Sequence, residues 1–279
     1  VEARPPGLII TADDFGLHAS VNIAVERAWR EGVLSAASLM VAAPAACDAI
    51  ARAHANPGLR VGLHLVLADG RSMLSPRAIP DLVDANGNFG NHMARDGARF
   101  FLLPHVRRQL AKEIRAQFEA FAASGLALDH VNAHKHFHLH PTILSMMIEI
   151  GLPFGLRAIR LPRERGMPGW LRPWLALLAG RLAAAGIAHN DYMLGIRHSG
   201  SFDEAALIKA LGSLPAHGVG ELYLHPALPG SAVLERAAPG YRHTDEFAAL
   251  ISPRVRQAHE RLRASGFRFG GFADLAGPA

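Results

Sequence analysis

Residues 129–141 read DHVNAHKHFHLHP: Asp129, histidines at 130, 134, 136, 138 and 140, then Pro141. Alternate side chains of an extended strand share a face, so a strand running through this stretch would align four imidazoles. The following TILSMMIEI reads as helix, and Pro141 suits its first turn, where a missing N–H costs nothing. The strand is therefore expected to end near His134, with the later histidines in the turn above it. An imidazole cluster at the C-terminal end of a strand feeding a helix lies where α/β folds carry their chemistry.

Upstream, GLIITADDFG opens with an apolar run too continuous for a half-exposed strand and ends in Asp13 and Asp14. One of these carboxylates could cap the next helix, but Ser20, ahead of VNIAVERAWREG, is the plainer cap. VLSAASLMVAA reads as a second buried strand. In PAACDAIARAHANPG, a short helix, Cys47 reads as a packed core thiol rather than a nucleophile. LRVGLHLVL places His64 in a strand. Residues 68–103 lack periodicity and read as a loop insertion, and a helix follows with apolar positions 106, 110, 114, 118 and 121. FGLRAIRLP is expected to be a strand bearing Arg157 and Arg160. Residues 162–188 form a basic apolar helical segment with Trp170 and Trp174. DYMLGIRHSG, then GVGELYLHPALPG ending at His225–Pro226, and FRFGGFADL complete the strands. Helices are expected from about Asp203 and over TDEFAALISPRVRQAHERLRASG. Seven or eight alternations without a composition break argue for an α/β fold, a TIM-like (β/α) barrel, irregular or seven-stranded, built as one domain over residues 1–279.

Composition narrows the function. With one cysteine the chain has neither a disulfide framework nor a cysteine-based zinc site. VEARPPG does not resemble a signal peptide and no apolar run is long enough to span a membrane, so a cytoplasmic protein is expected. The formal charge is +5, and the window from Arg157 to Arg181 alone holds six arginines against Glu164. The remainder is neutral on balance. Without a recognition motif this local basicity does not point to nucleic acid. The Arg/Trp/Leu mixture reads equally as an ordinary core helix or as a segment resting on a lipid surface.

Asp13, Asp14, His64, His134 and His225 all fall at or just beyond expected strand ends and would converge on one barrel mouth. A carboxylate with two imidazoles suits a divalent first-row ion that keeps coordination positions open. The spare aspartate could act as base and the spare histidine as acid. A single strand histidine such as His64 is otherwise a hydrogen-bonded core residue, and His18 past the aspartates is otherwise solvent-exposed.

TADDFG, GLHL at 62–65, the H-x-H-x-H cluster before a proline and ELYLHP, in that order, resemble the signatures of YdjC-like carbohydrate deacetylases. The resemblance spans about residues 7–275 and is nearest to the hopanoid-biosynthesis-associated members, as in polysaccharide-deacetylase-like folds. It implies one divalent ion, zinc with magnesium as the alternative, on Asp14, His64 and His134. It also implies Asp13 as general base and His225 as candidate acid. The reaction implied is removal of acetyl from an N-acetylglucosaminyl group on a hopanoid lipid, with soluble chitooligosaccharides as the other substrate class. Many members carry Asp where this chain has Asn132, which can orient a neighbour but adds no negative charge. His136 and His138 are expected to touch substrate or the ligands, whereas His140 finishes the turn. Arg157 and Arg160 would bind sugar hydroxyls or pair with structural acids, and Trp170 and Trp174 would meet a greasy substrate or the inner face of the membrane. A metal-dependent phosphoesterase and a non-catalytic lipid-binding protein are the rival classes.

Overall fold

The computed structural model describes residues 5–230, 234–235 and 238–276. Its strands are β1 (Gly7–Phe15), β2 (Ala36–Leu39), β3 (Arg60–Leu65), β4 (Val131–Ala133), β5 (Tyr192–Leu194), β6 (Val219–Leu224) and β7 (Arg268–Phe269). All pair in parallel, in the order β4-β3-β2-β1-β6-β5, with β7 on the foot of β1. Parallel neighbours are re-entered from the same end, so helices cross between them. These are α1 (Ala19–Glu31), α2 (Ala46–Ala55), α3 (Met93–Leu102), α4 (Pro104–Ala123), α5 (Pro141–Gly151), α6 (Leu171–Ala184), α7 (Glu204–Leu211), α8 (His243–Ile251), α9 (Pro253–Ala264) and α10 (Phe272–Leu275). No described helix is long and apolar enough to cross a membrane.

The barrel is irregular between β4 and β5. There the expected strand over FGLRAIRLP shrinks to single-residue bridges, Val131 with Ile159 and Ala158 with Ala188, continued by Glu164 with Met193. Backbone bonds from Val131 N to Ala158 O and from Arg160 N to Val131 O carry the ladder round without a full strand.

Inside the barrel three layers stack. Ile9, Ala36, Ala158, Ala188, Val219, Phe272 and Leu275 plug the foot, and α10 supplies the last two. Above them lies a buried polar layer containing Thr11, Ser38, His130, Asn132, Arg160 and Glu221. The mouth then opens at the C-terminal strand ends.

Four local expectations change. Cys47 is exposed, because α2 buries Ala46, Ala49 and Ala53 and turns residue 47 outward. The stretch 68–103 ends in α3. Its inward face is Gly97 and Phe100, with Gly97 packed so closely on His140 that an added Cβ would lie 3.1 Å from the ring. The long C-terminal helix breaks at Ser252, held extended ahead of Pro253, where its hydroxyl caps α9. His18, not Ser20, caps α1, its Nδ1 accepting from Ser20 N at 3.2 Å.

Candidate active site

β1 places two adjacent carboxylates by a bulge. Its register on β2 runs Thr11 to Ala36 and Ala12 to Ala37, then Phe15 to Leu39, so one extra residue is inserted at Asp13–Asp14. Asp14 takes φ +63, and both carboxylates line the mouth. Asp14 Oδ1 stands 3.2 Å from His134 Nδ1 and 3.4 Å from His64 Nε2, and the two nitrogens are 3.4 Å apart. His64 lies near the end of β3, and His134 is the first residue after β4, in a 3-10 turn spanning His134–Leu139. Burial alone would raise the Asp14 carboxyl, but His134 beside it holds it well below the usual range. Burial works to lower His134 in turn, and the Asp14 charge outweighs it and raises the imidazole.

These three residues can hold a metal ion. Asp14 Oδ1 is buried and makes no hydrogen bond, although two imidazole nitrogens lie within reach. Three ligand atoms gathered within 3.4 Å of one another, one of them a carboxylate oxygen without a hydrogen bond, fit a cation. A first-row ion bound at about 2.0–2.2 Å separates neighbouring ligands by roughly 3.0–3.5 Å, which matches this triangle.

Asp13 faces the other way. Arg160 Nη1 and Nη2 donate to its two oxygens at 2.5 and 2.9 Å, while Nε and Nη2 reach Glu221 at 2.9 and 2.7 Å. Thr11 donates to Glu221 from below. Burial would raise Asp13, yet the fully buried guanidinium pulls it far below the usual carboxylate range. His225, directly after β6, is held through its backbone: Glu246 accepts its N–H, and His243 Nδ1 donates to its carbonyl. Burial lowers the His225 imidazole and raises Glu246 to about 7.

Asp13, Asp14, His64, His134 and His225 thus line one cavity of about 490 Å³, in the size range of small-ligand sites. Among the described residues, the four non-glycines with positive φ are Asp14, Asp69, Lys135 and His136, and every one of them lines it. Each costs on the order of 1–3 kcal/mol, strain that clusters where function holds it. A Lys135–Asp69 ion pair ties two of them together across the rim.

Of the six residues expected to meet substrate, only His136 lines the cavity. His138 is buried, its Nε2 donating to Arg160 O at 2.9 Å. Arg160 is committed to Asp13 and Glu221, in line with its alternative reading as the partner of structural acids. Arg157 is exposed and bonds the carbonyl of Leu156. Trp170 caps α6 and is 76 % exposed, and Trp174 donates its indole N–H to Leu139 O. His140 does finish the turn, as the N-cap position of α5. Tyr223, Tyr241, Ser199 and His243 also line the cavity and were not singled out from sequence. For Tyr223 a signal existed: Glu221, Tyr223 and His225 alternate along ELYLH and share the inward face.

A profile of the YdjC-like protein family covers residues 7–261. The chain belongs to the YdjC-like family. Among YdjC-like relatives, a carbohydrate deacetylase of Brevibacillus brevis is 30% identical over 256 residues, covering 90% of this chain and 93% of its own. A chitooligosaccharide deacetylase of Yersinia enterocolitica is 28% identical over 271 residues, covering 96% and 98%. A solved Enterococcus faecalis structure, named for cellobiose-phosphate cleavage, superposes with a TM-score of 0.77 at 22% identity, over 98% of this chain and 99% of its own. The barrel of this YdjC-like chain is thus an established architecture.

Proposed function

We propose that this chain is a hydrolase that cleaves the amide of an N-acetylated carbohydrate, releasing acetate and a free amino sugar. The observation that carries the reading is the Asp14–His64–His134 triangle at the cavity, with Asp13 and His225 beside it. The deacetylase names of the two relatives support it. A divalent ion held by the triangle, zinc in this reading with magnesium as the alternative, would supply Lewis acidity and a water of lowered pKa. Asp13 is the base: Arg160 keeps it ionised and fixes its plane, so proton acceptance is confined to one geometry. His225 is the acid: burial disfavours its protonated form, and the Asp14 and Asp13 charges beside it oppose that and help it hold the proton that the departing amine needs. The loop residues Asp69, Gly70 and Arg71 frame the rim, in keeping with a substrate-facing role for 68–103 within one domain of 1–279.

Soluble N-acetylated chitooligosaccharides are the first substrate class. Incubation with diacetylchitobiose is expected to release acetate and free amine in equal amounts, and chelation to stop both. Release of phosphate from a sugar phosphate, without acetate from the acetylated sugar, would replace this reading with a phosphoesterase.

An N-acetylglucosaminyl lipid is the second class, favoured by one surface. Arg163, Arg165 and Arg172 rim a crevice floored by Met167, Leu171 and Leu175, and Trp170 and Leu177 (53 % exposed) stand free on the same helix. None of the three arginines has an ion-pair partner among the described residues. Flotation with anionic liposomes is expected to carry the wild-type chain and to carry Trp170→Ala several-fold less. Equal behaviour removes the lipid reading and leaves the soluble one intact.

A further inference from the structure

We propose that a buried hydrogen-bond chain, Asp129–His130–Ser38–Asn132, fixes which ring nitrogen of His64 is bare and so readies it as a ligand. The inference rests on the metal reading above and adds positioning residues to it.

The links are continuous. Asp129 Oδ2 lies 2.9 Å from His130 Nδ1, His130 Nε2 lies 3.1 Å from Ser38 Oγ, Asn132 Nδ2 lies 2.9 Å from Ser38 Oγ, and Asn132 Oδ1 lies 2.5 Å from His64 Nδ1. No member exceeds 4 % exposure, so water does not compete. The far end is anchored: Asp129 also accepts the backbone N–H groups of Phe272 and Ala273, each at 3.0 Å. Gly62 makes room, since a Cβ there would lie 2.5 Å from the His130 ring.

Each link then dictates the next. Against burial, His130 holds the Asp129 carboxyl below its usual value, and Asp129 Oδ2 accepts from His130 Nδ1, so a neutral His130 ring carries its proton there and presents a bare Nε2. The Ser38 hydroxyl donates to that nitrogen. Ser38 has no second proton, and its oxygen can therefore only accept from Asn132, which requires Nδ2 on that side. Asn132 Oδ1 is left facing His64 Nδ1 and must accept a proton from it. His64 Nε2, turned toward Asp14 and His134, keeps its lone pair.

Arg160 pulls the other way. With the amide reversed, Nδ2 would donate to His64 Nδ1, and Oδ1 would accept from Arg160 Nη2 and Nη1 at 3.0 and 3.1 Å and from Ser38 at 2.9 Å. His64 would then carry its proton on Nε2 and present no lone pair to a cation. As placed, Asn132 Nδ2 lies 3.0 and 3.1 Å from Arg160 Nη2 and Nη1, donor against donor; reversal relieves this but strips a neutral His130 Nε2 of its donor. In the proposed chain the Ser38 proton outweighs that repulsion.

Two-bond 1H–15N spectra of metal-free protein with labelled histidine read the tautomer directly. Wild type is expected to show His64 with the proton on Nδ1. Ser38→Ala is expected to move it to Nε2 and to weaken zinc binding about 10- to 100-fold, the usual effect of losing a group that orients a ligand. Adding Asn132→Asp to Ser38→Ala is expected to restore both, because a carboxylate has no wrong way round. A wild-type proton on Nε2 overturns the proposal without any variant, and so does a folded Ser38→Ala with unchanged tautomer and affinity. A wild type that holds the proton on Nδ1 yet binds no zinc overturns the metal reading instead.

Discussion

Asp14→Ala is expected to abolish stoichiometric metal retention and to lower turnover on an N-acetylated sugar by on the order of 10³-fold. The size follows from the several kcal/mol that a Lewis acid contributes to the transition state, at about 1.4 kcal/mol per decade of rate. Asp14 supplies the only carboxylate of the triangle, and its removal leaves two imidazoles without the charge that favours a cation. Asp13→Asn should behave differently, losing turnover while retaining metal, because Asp13 faces Arg160 rather than the triangle. Metal content after dialysis, measured beside acetate release, separates the two aspartates. Loss of metal in Asp13→Asn with retention in Asp14→Ala would reverse the roles assigned to them.

The parts of this arrangement carried by local pattern were legible in the sequence. Pro141 starts α5, Asp203 caps α7, accepting from Ala206 N, and β4 stops one residue short of His134. The five polar groups at strand ends share one cavity because a parallel barrel delivers every C-terminal strand end to the same side. What sequence did not disclose depends on distant partners. Pairing with acids is one of the two readings of Arg160, but which acids is not legible: it is 0 % exposed because Asp13 and Glu221, 147 and 61 positions away, capture it. From sequence α3 is absorbed into the loop before it, although Gly97 and Phe100 fall three residues apart on its inward face. The hydrogen-bond chain through Ser38 joins residues from β2 and β4 and has no trace in spacing at all.

The same capture makes Arg160 the residue whose loss the fold should tolerate least. Arg160→Leu leaves Asp13 and Glu221 buried with no cation, and breaking a buried ion pair by removing one partner costs about 3–5 kcal/mol. A urea midpoint measured at pH 7 should fall accordingly, and turnover with it, since Asp13 loses the fork that sets its plane. Arg160→Lys should recover only part, because one ammonium cannot span four carboxylate oxygens. The pH dependence separates charge from volume. In wild type the Asp13 carboxyl is depressed below its unfolded value of 3.8, so its contribution to stability is complete above that pH and is lost only as strong acid protonates the folded form. In Arg160→Leu the largest charge opposing desolvation of Asp13 is gone, its folded carboxyl rises above the unfolded value, and stability should instead decline as pH climbs from 4 to 8. A variant whose stability stays level over that interval, as the Asp13 contribution does in wild type, would mean that solvent reaches the two carboxylates and that the polar layer is not sealed.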